Sequence, residues 1–163
     1  MSDLLFKSPV QYEPKQTHRF IARFPNDVSI QPFAIKSFNA PKFTNNKVSM
    51  GFINTETYVL GRTTWGEITV SARDFIAPST TQALMEWQRL HHEAVTGRSG
   101  YAVGYMKDID FEILDPAGTA ISVWRYETCM LVGETNFGDY TMESDGVVEL
   151  SFTIQPQRCI LLY

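Results

Sequence analysis

Three histidines and two cysteines in 163 residues leave little material for metal or thiol chemistry. His91 and His92 are neighbours, so on a helix their side chains diverge by about 100° and cannot share an ion. The i, i+4 histidine pair of a helical zinc site is absent, and His18 stands alone. Cys129 and Cys159 have no companion pair, which excludes a zinc knuckle and a C-x-x-C redox motif. No G-x-S-x-G, Walker loop or G-x-G-x-x-G occurs, and Gly97, Gly100 and Gly104 are wrongly spaced to cradle a phosphate. No catalytic, cofactor-binding or metal-binding residue is assigned on these grounds. Long apolar runs are also missing. Nothing approaches the ~18 residues of a membrane helix, so no membrane insertion is expected. The opening MSDLLFKSP has neither a long apolar core nor a small-residue cleavage site, so it does not read as a signal peptide. Basic charge is scarce overall, with 14 Lys+Arg against 18 Asp+Glu and a pI near 5.3. That balance argues against a dedicated nucleic-acid binder.

What the chain does have is apolar and aromatic mass. An apolar share of 44% is enough for a core, and 13% aromatics favour a sheet-rich fold over disorder. The length suits a single domain over 1–163. Charge is unevenly spread along it. Residues 1–50 hold seven bases and three acids, residues 51–100 four and five, and residues 101–163 three and ten. Either two solvated faces differ in sign, or the basic part of one subunit meets the acidic part of the next in a head-to-tail contact.

Strand signals dominate. In Arg19–Phe24, Phe20, Ala22 and Phe24 share one face and Arg19 and Arg23 the other. A short apolar segment follows at Phe33 to Phe38. Residues 42–58 carry exposed-looking apolar side chains and read as a long hairpin or extended arm between strands. Ile68, Val70 and Ala72 alternate with polar neighbours, as do Ile109, Phe111 and Ile113, with Asp108, Asp110 and Glu112 opposite them. Asp115-Pro116-Ala117-Gly118 is a turn that makes a hairpin with Ile121 to Val132. The strand Val148 to Ile154 has the cleanest alternation, and Pro156 stops it. One helix is expected over about 80–95, with Ser79 and Gln82 as a capping box and Gly97 as its C-terminal cap. Leu84, Trp87, His91 and Ala94 would form its packing stripe. Many strands and one helix predict a mainly β fold, an antiparallel β-barrel or sandwich with one flanking α-helix.

The three acids on alternate positions face away from an apolar row and look solvated. That suits a surface that repels polyanions better than a general acid–base pair, which needs pKa values pushed apart. A small β-rich enzyme or ligand-binding barrel would need a convergent polar cluster, and none is visible.

Several segments, in order, resemble a known family: Phe38-Asn39-Ala40-Pro41, Val48 to Asn54, Tyr58 to Trp65, the strand Glu67 to Val70, and the helix ending Met85-Glu86-Trp87-Gln88. Ile121 to Val132 and Gly146 to Ile154 fit its C-terminal half. The chain is similar, over roughly 18–156, to the tail tube protein of contractile-tailed (T4-like) bacteriophages. That fold is similar in turn to the haemolysin-coregulated protein of type VI secretion and to pyocin tube proteins. The resemblance implies a homo-oligomer in the virion tail, made in the host cytoplasm. Rings of six would stack head to tail into the inner tail tube. DNA would pass down that tube into the host after the sheath contracts.

The implied partners are the tail sheath protein, the baseplate initiator, the tail terminator, the tape measure protein and phage DNA in the lumen. Residues 1–17 would be an N-terminal arm and 157–163 a C-terminal tail. On this reading Phe43, Val48, Met50, Phe52 and Ile53 are inter-subunit contact candidates, unless they fold back on their own core. Asp108, Asp110 and Glu112 are lumen candidates, and Leu84, Trp87 and His91 pack the helix on the barrel. A virion persists in oxidising surroundings, so Cys129 and Cys159 could pair as a disulfide. Cytosolic synthesis and the buried habit of free cysteine favour two inert thiols. A baseplate tube initiator and a type VI or pyocin-like tube subunit are the alternatives within the class.

Overall fold

The computed structural model describes residues 13–163, so most of the expected N-terminal arm lies outside the described residues. The strands, in chain order, are β1 (Phe20–Arg23), β2 (Ile35–Phe38), β3 (Phe43–Phe52), β4 (Thr55–Trp65), β5 (Ile68–Arg73), β6 (Lys107–Leu114), β7 (Ala120–Asn136), β8 (Glu149–Gln155) and β9 (Arg158–Leu161). The main helix is α1 (Thr80–His91), followed by a single helical turn, α2 (Ala102–Tyr105). The fold is mainly β with antiparallel sheets, as the alternation predicts.

Seven strands form one ladder in the order β1-β6-β7-β8-β5-β2, and β9 pairs with β7. The long strand β7 makes this possible. Its first half pairs with β6 and β9, and its second half with β8. Between the halves lies a bulge: Lys107 and Ile109 face Cys129 and Tyr126, so β7 has one residue more than β6. Thr128 there takes φ +56, and the Asp108 carboxylate accepts its N–H at 2.8 Å. Bulges bend a strand and increase its twist, so one strand serves two sheets and the ladder curls around the core. The two ends of the ladder, β1 and β2, are not hydrogen-bonded to each other.

The core follows from period-two alternation. Ile68, Val70 and Ala72 sit directly opposite Ile154, Phe152 and Leu150, all buried. Across the barrel, Phe38 stacks on Phe111 at 5.1 Å and tilts against Tyr126 at 5.4 Å between ring centroids. Among the described residues, no buried side-chain polar atom lacks a partner.

Helix α1 buries Ala83, Leu84 and Trp87. The Trp87 indole donates to the Tyr105 carbonyl at 2.7 Å, and its ring meets Phe24 edge-on at 6.4 Å. Ser79 Oγ accepts the Gln82 N–H at 3.3 Å, as the capping signal predicts. The helix is shorter than the expected 80–95. His92 is extended and bridges to Ser99, and Gly100 donates to the His91 carbonyl, so the chain turns back before a further turn forms. Gly97, at φ +69, closes the separate turn from Glu93 instead of capping the helix. His91 is exposed, contrary to its expected place on the packing stripe; its ring lies against Tyr105 at 4.8 Å. The expected tail 157–163 also differs: Pro156 is buried and ends β8, and the chain returns as β9 along β7.

Candidate functional site

The expected arm over 42–58 is a hairpin that runs on to Trp65. β3 and β4 pair only with each other, forming a two-stranded sheet apart from the main ladder. Every residue of β3, and every residue of β4 up to Thr64, is exposed. The Gly66 N–H donates to the Lys42 carbonyl at 2.8 Å and closes the base of the hairpin, and Gln155 Nε2 of β8 donates to the Trp65 carbonyl at 2.9 Å and ties it to the main ladder. Phe43 and Trp65 meet edge-on at 5.7 Å and close the stem.

The register gives the hairpin two unlike faces. Val48, Met50 and Phe52 alternate onto one face, where Val59, Thr57 and Thr55 oppose them. On the other face Lys47 pairs with Leu60, Ser49 with Tyr58 and Gly51 with Glu56. There the Lys47 ammonium lies 4.3 Å over the Tyr58 ring, and the Tyr58 hydroxyl donates to Glu56 at 2.9 Å. Among the described residues the apolar face has no covering element, with Phe52 73% exposed. At the tip Ile53 is 87% exposed and takes φ +52. A β-branched residue in the left-handed region costs about 1–3 kcal/mol and is rare outside functional segments.

The structure therefore places the five predicted contact residues, Phe43, Val48, Met50, Phe52 and Ile53, on one exposed hairpin, and none of them folds back onto the core. Val59 joins Val48 and Met50 on the apolar face, while Tyr58 and Leu60 are exposed on the other. Their signal in the sequence is an unbroken apolar run, Tyr58-Val59-Leu60, which in a strand puts apolar side chains on both faces.

A second exposed apolar group was not anticipated. Residues 137–148 link β7 to β8 without regular structure, and there Tyr140 is 78% exposed, with Met142 and Val147 also open to solvent. Gly138 anchors this loop at φ +89, where a Cβ would sit 2.6 Å from the Glu149 carbonyl oxygen; only glycine fits.

Asp108, Asp110 and Glu112 lie on one face of β6, as alternation requires, but they are not a free acidic row. The Arg125 guanidinium grips Asp110 with bonds of 2.8 and 3.0 Å, and Arg23 holds Glu112 at 2.8 Å. These carboxylates raise the pKa of both guanidiniums through hydrogen bonding and charge. Asp108 is occupied with the Thr128 N–H. The partners come from β1 and β7, so they become visible only with the sheet order.

Both cysteines are free thiols, and both are buried. Burial pushes the Cys159 thiol up to about 11 and raises Cys129 as well, so neither is a thiolate at neutral pH. Among the described residues, no group of His, Cys, Asp and Glu could hold a metal ion. The seam between β1 and β2 opens into an apolar cleft of about 370 Å³ over Phe20, Phe38, Phe111 and Ile113. Its polar rim consists of Lys15, Gln16, Thr17, Arg19, Lys36 and Ser37, with no carboxylate among the described residues.

No protein-family model matches the chain. No curated protein matches it by sequence. Solved structures do match by fold. The tube-terminating cap of the anti-feeding prophage superposes with a TM-score of 0.74 at 17% identity, covering 99% of this chain and 98% of that one. A chain from the sheath-tube complex of an extracellular contractile injection system, PVC, in the extended state gives 0.72 at 15% identity, covering 95% of each. Hcp1 from Flavobacterium johnsoniae gives 0.52 at 13% identity, covering 88% of this chain and 94% of that one. The fold is that of tube proteins of contractile injection systems, the fold that the resemblance to tail tubes implied.

Proposed function

We propose that this chain is a structural subunit of a tube, in which copies close into rings of six and the rings stack head to tail around a bore. The observation that carries this reading is the β3–β4 hairpin: a monomer has no use for a strained, exposed apolar arm, whereas a repeating assembly covers it at every contact. A shared fold with tube proteins supports the same reading. The finer reading is an inner tail tube of a contractile phage-type particle, conducting DNA once the surrounding sheath contracts. Its partners would be sheath, terminator and baseplate proteins, with a tape measure protein and DNA in the bore. The role on this reading is structural.

Negative-stain electron microscopy of the purified chain tests the proposal. Hollow tubes or six-fold rings are expected. A chain that stays monomeric at high concentration overturns it.

A further inference from the structure

The sheet formed by β5 and β8 has a direction, and the two exposed apolar groups leave it from opposite ends. Ile68 pairs with Ile154 and Arg73 with Glu149. The hairpin precedes Ile68, and its base is tied to Gln155. The loop 137–148 precedes Glu149, and its last residue accepts the Asp74 N–H at 3.0 Å, just beyond Arg73. Five strand steps, roughly 17 Å, separate the two exits.

The two groups are also opposite in charge. Lys42, Lys47 and Arg62 lie on or beside the hairpin against two acids, Glu56 and Glu67, whereas Asp139, Glu143 and Asp145 lie in the loop with no base. None of these six bases and loop acids takes part in an ion pair among the described residues. Each group therefore carries what the other lacks, and both keep large apolar side chains in water.

We infer that the apolar face of the hairpin is covered by the acidic loop 137–148 of a second copy of this chain, end to end along the tube axis. This rests on the tube reading and specifies the contact within it. Val48, Met50, Phe52 and Val59 supply the apolar half, and Tyr140, Met142 and Val147 close over them. Lys42 and Arg62 lie toward the base of the hairpin and Lys47 on its other face; together they make the arm basic, and this charge meets the loop acids, sets register and rejects a reversed neighbour. Since the two surfaces are different patches at opposite ends, the contact is heterologous and does not close on itself between two copies, so it propagates. The loop needs Gly138 to leave the sheet at this angle, which fixes where the acids are presented.

The test uses two charge-reversed chains. One carries Lys42→Glu, Lys47→Glu and Arg62→Glu; the other carries Asp139→Lys, Glu143→Lys and Asp145→Lys. All six positions are exposed, and circular dichroism checks that each chain folds. Each variant alone should form rings that do not stack, with the concentration needed for tubes raised at least about tenfold, because like charges then face each other at every joint. Rings of the two variants, prepared separately and mixed in equal amounts, should stack again, since both new joints pair opposite charges.

A variant that stacks as the wild type does, or a mixture that stays unstacked, overturns the contact. The first result is expected if residues 1–12 or a different protein cover the hairpin. A wild-type chain that forms neither rings nor tubes sinks the tube reading itself, whereas wild-type tubes with unaffected variants sink only this contact.

Discussion

Asp74 holds the start of α1 from outside the helix. Its carboxylate accepts the N–H groups of Phe75, Thr80 and Thr81 at 3.0, 2.9 and 3.3 Å and the Thr81 hydroxyl at 2.6 Å. Burial by itself would raise its pKa, but the bonds from Thr81, Thr80 and Phe75 outweigh that effect and hold the carboxyl below its ordinary value. A lowered folded-state pKa adds stability above the unfolded value, about 3.9, and that stability is lost as pH falls through the folded value. Asp74→Ala should therefore cost about 1–2 kcal/mol at neutral pH, the range of a lost helix cap, and lower Tm by roughly 3–6 °C. Thermal melts from pH 7 to pH 2 check this: the gap to the wild type should be flat down to about pH 4 and shrink below it. An unchanged gap at pH 2 would mean that the charge of Asp74 contributes nothing. The Ser79 cap could be read from sequence because it acts three residues away; Asp74 could not, because its reach depends on how residues 75–79 fold back. The same limit hid Arg23 and Arg125 behind the acids of β6, since alternation gives a face but not the neighbouring strand.

Among the elements, the β3–β4 hairpin separates assembly from folding. Its apolar face makes no core contacts, so Val48→Ser with Phe52→Ser should change monomer stability by no more than about 0.5 kcal/mol, as exposed substitutions do. The same pair should abolish tube growth, because each buried apolar side chain contributes about 1.5–3 kcal/mol per contact. A denaturant melt and electron micrographs of one preparation read both effects. A large loss of stability would mean that the hairpin belongs to the core after all. The hairpin was legible as an arm because Val48, Met50 and Phe52 alternate where no core strand was needed. Its true length was obscured by the bulge between Asn45 and Lys47, where the register shifts and the strict period of two breaks. The strands with unbroken alternation, β5, β6 and β8, were read correctly. β9 was missed because four residues after a proline leave too little pattern, and α1 was read too long because Gly97 is a proper cap signal for a turn that is not helical.

At the scale of the molecule, the basic hairpin lies at one end of the β5–β8 sheet and the acidic loop at the other, while other bases of the first third pair within the chain, Arg23 with Glu112 and Lys36 with Glu149. Two forces then act at each joint, and they respond oppositely to salt. Ion pairs at an exposed rim weaken as the Debye length falls from about 10 Å at 0.1 M to about 3 Å at 1 M, whereas apolar burial strengthens in excluded salts such as sulfate. Sodium chloride raised from about 0.1 to 1 M should therefore increase the concentration needed for stacking, and ammonium sulfate at equal ionic strength should increase it less or lower it. Light scattering across a dilution series in each salt reads that threshold directly. If chloride has no effect, the charges do not act at the joint and the apolar faces alone hold the tube; if both salts dissolve it equally, the apolar hairpin face is not buried there.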